Sequence, residues 1–169
     1  MNKFSILLLI ILAVSSSSFA QNNSNSPQQR DLKNFSSISL NIPAEATLKQ
    51  GDYSFSISAP SDVLEKIKTE VKNNELVIRV DNGSNLESKE SIRIEISLPS
   101  LSALEVNGSG EFTSSSNFNS DHLDLEINGS GKISLTDLTA NQLSAAINGS
   151  GRIEDLQGTS ASVKMQVNG

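Results

Sequence analysis

Apolar and polar residues alternate with period two along most of this chain, the pattern of strands with one buried face. Ile38, Leu40 and Ile42 follow Phe35 and run up to Pro43. Residues 46–49 and the alternating Tyr53, Phe55 and Ile57 flank Gly51-Asp52, which predicts a β-hairpin. Pro60-Ser61-Asp62 predicts one capped helical turn over residues 63–66. Ile67, Thr69 and Val71 then face Leu76, Ile78 and Val80 across Asn73-Asn74, a turn that uses the tolerance of Asn for positive φ. A helix over residues 62–72 competes, because Val63, Ile67 and Val71 also fit helical spacing; the period-two pattern favours the strand. After a polar loop at residues 81–90, Ile92, Ile94, Ile96 and Leu98 write another strand, with Arg93 and Glu95 on its other face.

The second half is periodic on a longer scale. Asn107-Gly108-Ser109-Gly110 recurs as Asn128-Gly129-Ser130-Gly131 and as Asn148-Gly149-Ser150-Gly151, and Asn168-Gly169 begins the motif again. The residues at −5, −3 and −1 from each Asn repeat with it: Ser102, Leu104, Val106; Leu123, Leu125, Ile127; Leu143, Ala145, Ile147; Val163, Met165, Val167. Phe112, Ile133 and Ile153 follow each Asn by the same interval. A fixed period near 20 residues is the mark of a stacked array. Each unit offers a strand of about six residues, a tight turn, a second short strand and a return loop. Stacking buries apolar stripes that one unit cannot bury alone. The glycines permit positive φ, and equivalent Asn side chains are expected to form an amide ladder. The motif carries no carboxylate, so a structural corner is preferred to a calcium loop and no metal site is expected.

Composition and charge narrow the setting. Lys3, an apolar run over residues 6–14 and Ser18-Phe19-Ala20 form the three parts of a secretory signal peptide over residues 1–20. The run is too short to span a bilayer as a helix, and no Cys follows for lipid attachment. Residues 21–33 are polar and read as a disordered leader, with the domain over residues 34–169. The net charge of −6 becomes one unit more negative once Lys3 is removed. That acidity argues against nucleic acid and against anionic membrane surfaces. Absence of Cys excludes disulfides and thiolate chemistry.

The L-x-L-x-I runs before each Gly-Ser-Gly turn, together with Ile94-x-Ile96-x-Leu98-Pro99, resemble the head GIN domain family, DUF2807, of auto-transporter adhesins found largely in Bacteroidetes. The resemblance covers residues 35–169. It implies an all-β, right-handed β-helix-like solenoid with ~20-residue coils, here preceded by N-terminal antiparallel strands. It also implies a place in the periplasm, on the outer-membrane surface or outside the cell. It supplies no catalytic or ligand residues. Because the chain stops within a turn, a truncated C-terminus is expected, with the strand over residues 163–167 left as an open edge that can self-associate.

Candidate chemistry is sparse. The single His, His122, is expected in a solvated loop beside Asp121, and no second His or Cys exists for zinc. Asp124 and Glu126 share the outward side of one strand with Lys132 beyond the next turn, the one combination that suggests carbohydrate cleavage. Alternation places such groups on any soluble sheet, so the expectation is a non-enzymatic envelope or surface binding module without cofactor. Glycan and envelope or host proteins are the expected partners. Structural assembly of the envelope is the alternative, ahead of a carbohydrate-active enzyme.

Overall fold

A computed structural model of the protein describes residues 27–86, 91–114 and 116–169. The signal-peptide residues and residues 21–26 of the expected leader lie outside the described residues. The first strands are β1 (Gln28–Gln29), β2 (Ser37–Leu40), β3 (Glu45–Gln50) and β4 (Ser54–Ser58). A single helical turn, α1 (Ser61–Leu64), leads to β5 (Ile67–Lys72), β6 (Glu75–Val80) and β7 (Arg93–Leu98). The periodic half supplies β8 (Ala103–Gly108), β9 (Glu111–Ser114), β10 (Phe118–Gly129) and β11 (Lys132–Leu135). It closes with β12 (Leu138–Gly149), β13 (Arg152–Glu154) and β14 (Gly158–Asn168).

These strands form two mixed seven-stranded sheets, ordered β1-β4-β7-β3-β9-β11-β13 and β14-β12-β10-β8-β2-β6-β5. The periodic strands pair in parallel with equivalent residues side by side: Asn107 with Asn128, Asn128 with Asn148, Asn148 with Asn168. Period-two alternation turns the same set of side chains inward in every strand, so apolar residues stack in columns. One column runs Leu76, Ile38, Leu104, Leu125, Ala145; another runs Ile94, Ala46, Phe112, Ile133. All of these are buried, and both columns belong to one core cluster.

The two glycines of the motif do different work. Gly129 has φ +133°, and a Cβ there would lie 2.6 Å from the Gly108 carbonyl oxygen. Gly131 is not in the positive-φ region; a Cβ on it would meet a Val106 methyl and the Gly110 carbonyl oxygen, the latter at 2.7 Å. Positive φ was expected of both, but the second glycine answers to close approach between neighbouring strands.

Several other expectations change. The Gly51-Asp52 turn does reverse the chain, yet β3 and β4 do not pair. Strand β7 lies between them, parallel to β3 and antiparallel to β4. A turn sets the change of direction, while the two backbone edges of β7 pair with β3 on one side and β4 on the other. Nor do antiparallel strands simply precede the repeat. β2 and β3 are parallel members of it, beside β8 and β9. The antiparallel pairs β1–β4, β4–β7 and β5–β6 gather at one end of the sheets. The β5–β6 hairpin forms as expected, with Asn73 at φ 52° and Asn74 at φ 67°. The helix is confined to Ser61–Leu64, and Pro60 makes no side-chain cap. Within the stretch read as a leader, Gln28–Gln29 pair with β4, so order begins ahead of residue 34.

Candidate functional site

Strand lengths create a surface recess. β10 and β12 each run twelve residues, double the expected six, while β8 has six. Asp124 pairs with Ala103 at the start of β8, so residues 118–123 of β10 extend past their neighbour on that side. The alternation also breaks within β10, where Asp121 and His122 are both exposed. The pairing skips Asp121 and Asn141 between Ser120↔Ala140 and His122↔Gln142. An overhanging strand beside a short one leaves a step. An open groove of about 590 Å³ lies there, lined among others by Ser36, Ser102, Ser120, Asp121, His122 and Asn141.

Its polar groups are held in place. Ser36 Oγ and Ser102 Oγ lie 2.7 Å apart, and Ser102 Oγ also reaches the Ser36 carbonyl at 3.1 Å. Ser120 Oγ stands 2.7 Å from the carbonyl oxygens of both Leu101 and His122. Asn141 Nδ2 donates to Asp121 Oδ1 at 2.8 Å. His122 Nε2 lies 3.0 Å from Asp124 Oδ2. His122 therefore sits within a strand, rather than in the loop expected for it, because β10 continues through the residues read as a return loop. Among the described residues, no Lys, Arg, Phe, Tyr or Trp lines the groove.

The motif residues occupy the opposite end of the same strands. Asn168 donates to Asn148 at 3.0 Å, Asn148 to Asn128 at 2.9 Å and Asn128 to Asn107 at 3.0 Å. Asn107 in turn donates to Asn41 at 2.8 Å, a rung that sequence reading missed. Asn41 precedes Ile42-Pro43-Ala44, without glycine, and lies 66 residues from its neighbour, so neither the motif nor the period exposed it. The usable signal was Ile38-x-Leu40-Asn41 against Leu104-x-Val106-Asn107. Glu105 ties into the ladder by accepting from Ser39 and Asn107.

The suggested catalytic trio is not assembled. Asp124 contacts His122, and Glu126 lies exposed on β10. Lys132 belongs to the other sheet, bridging Glu111 and Glu154, the latter at 3.2 Å. The hydrogen bonds it donates to the Glu111 and Glu154 carboxylates hold its ammonium pKa above the ordinary lysine range. Arg30 spans the opposite end of the molecule, donating to the Ile67 carbonyl at 3.1 Å and Thr69 Oγ1 at 3.0 Å. Burial lowers the pKa of its guanidinium. Among the described residues, no group of three His, Cys, Asp or Glu side chains is placed to hold a metal ion, and no helix is long and apolar enough to cross a membrane.

Residues 34–169 match the family model described as "Putative auto-transporter adhesin, head GIN domain". A putative adhesin from Bacteroides fragilis NCTC 9343 has a similar crystal structure: TM-score 0.75, 23% identity, covering 81% of this chain. This chain spans only 64% of the length of that one. A putative adhesin from Parabacteroides distasonis ATCC 8503 matches at TM-score 0.67 and 17% identity, over 84% of this chain and 69% of the other. A protein named as a putative lipid binding protein from the same organism matches at TM-score 0.56 and 17% identity, over 86% of this chain and 80% of the other. No curated protein matches by sequence. Identities this low speak to the fold, whereas the family model covers most of the chain: the protein belongs to the head GIN domain family.

Proposed function

We propose that this protein is an exported, non-catalytic binding domain of the bacterial cell surface, an adhesin module that meets its ligand at the stepped groove. The observation that carries the reading is the groove itself, a recess lined mainly by polar residues of β10, β12 and the segments that lead into β2 and β8. The family description and the names of the similar structures support the adhesin class. The signal-like residues 1–20 support export.

In this reading the paired sheets are a right-handed β-helix-like solenoid with ~20-residue coils, and residues 34–169 are its domain. Parallel pairing of residues 20 positions apart supports that architecture. The Asn-Gly-Ser-Gly turns then serve the scaffold, since their amides bond to one another.

Protease treatment of intact cells carrying a tag inserted between residues 86 and 91 tests the location. Loss of the tag is expected. Protection until the outer membrane is opened would place the domain in the periplasm and overturn the surface reading.

A further inference from the structure

We propose that the stepped groove binds a neutral, hydroxyl-rich oligosaccharide, recognised around the Asp121–Asn141 pair. The inference rests on the reading of this domain as a binding module and adds the chemical class of its ligand. A volume near 590 Å³ lies within the range of ligand sites.

The hydrogen-bonding balance of the walls selects the ligand. Each serine hydroxyl has one proton and two lone pairs. The Ser120 proton is directed to backbone carbonyls, and Ser36 and Ser102 share theirs with each other and with the Ser36 carbonyl. Ser36 Oγ also accepts from Asn74 Nδ2 at 2.7 Å, so what remains on Ser102 and Ser120 is chiefly capacity to accept. Asp121 accepts from Asn141 through Oδ1, and among the described residues Oδ2 has no side-chain donor. Asn141 keeps a second amide proton and its own carbonyl oxygen. With Ser100, Asn119, His122 and Thr139 also on its wall, the groove offers both acceptors and donors. A ligand dense in hydroxyls satisfies such a wall, because every hydroxyl both donates and accepts.

Charge removes the main rivals. Anionic phosphate, sulfate and carboxylate groups would meet Asp121, with Asp124 already paired to His122 and no Lys or Arg among the described lining residues. An acyl chain would leave the serine hydroxyls and the carboxylate desolvated without partners. Among the described residues no Phe, Tyr or Trp lines the groove and the His122 imidazole is its one ring, so sugar stacking contributes little and one site alone binds weakly, with a Kd on the order of 1 mM. Repeated copies on a cell surface raise the effective affinity by about 10²–10⁴.

The test titrates the ¹⁵N-labelled protein with maltotriose, cellotriose and mannotriose, with a sulfated chondroitin disaccharide and with calcium chloride alone. At least one neutral trisaccharide is expected to shift the amide signals of Leu101, Ser102, Ser120, Asp121 and Asn141. Asp121→Ala should weaken that binding by about tenfold or more through loss of a charged acceptor. Asp121→Asn, which keeps an acceptor oxygen, should weaken it less, and both variants should keep the parent melting temperature. No groove-localised shift with any neutral sugar, preference for the sulfated sugar, or a response to calcium alone would each overturn the proposal. Surface exposure with cell adhesion but no sugar response would defeat the ligand class and leave the binding-module reading standing. Protection of the tag from protease would instead defeat the surface reading, whatever the sugars do.

Discussion

The two ends of the sheets solve different problems. At one end the chain leaves β4, crosses through α1 and returns as β5, so non-repeating residues close over the core. Val63 of α1, fully buried, and the buried Ile67 plug the space between the sheets. Arg30 then links β1 of one sheet to the β5 backbone of the other. At the opposite end β13 and β14 continue the parallel repeat. There Val163, Met165 and Val167 are 53%, 64% and 69% exposed. Met165 stands in the same column as Leu125, which is 1% exposed. Among the described residues the repeat carries the apolar column on through β14, whereas at the α1 end residues that break the period cover it.

The largest expected effect tests that column directly. Leu125→Ala should cost about 2–5 kcal/mol in urea unfolding, as a buried leucine deletion does. Met165→Ala, at the equivalent position, should fall within about 0.5 kcal/mol of the parent, as surface changes do. Equal losses at the two positions would show that the exposed end is covered in solution and would remove the contrast. A smaller effect is expected at the closed end. Arg30→Met keeps much of the apolar stem but removes the donors to Ile67 and Thr69, for about 1–2 kcal/mol, with faster amide exchange confined to β1 and β5. Faster exchange at β14 instead would show that the two ends are coupled.

The smallest effect is a pH response in the sheet that ends at β13. Lys132 has a folded pKa raised by its bonds to Glu111 and Glu154, so its contribution to stability is fully present below the ordinary lysine pKa. It is lost as pH rises through the folded value. Amide exchange in β13 should therefore quicken on the alkaline side, and Lys132→Met should flatten that dependence. An unchanged alkaline profile in the variant would show that another group is responsible.

The hairpin at Asn73-Asn74 and the register of the periodic strands were both legible in the sequence. Alternation, a turn residue tolerant of positive φ and a fixed repeat are properties of the linear chain. The hairpin expected at Gly51-Asp52 failed because the same kind of local signal cannot tell whether a third strand enters between two others. The Asn41 rung went unseen for a related reason, since a large insertion separates it from the copy it stacks upon. As for the site, Asp121 and Asn141 stand one repeat apart, so their contact was implicit in the period. The recess beside them was not, because it depends on β10 overhanging β8.

What the sequence determined by itself was the strand-forming alternation, the ~20-residue period and the chemistry of the turns, because each acts between neighbours or through identical units laid side by side. Tertiary structure alone decided that β7 divides β3 from β4, that α1 plugs one end, and that Ser36, Ser102, Asp121 and Asn141 share one groove. Those outcomes follow from pairing between strands distant in sequence, where competing buried faces, rather than local turn chemistry, select the partner.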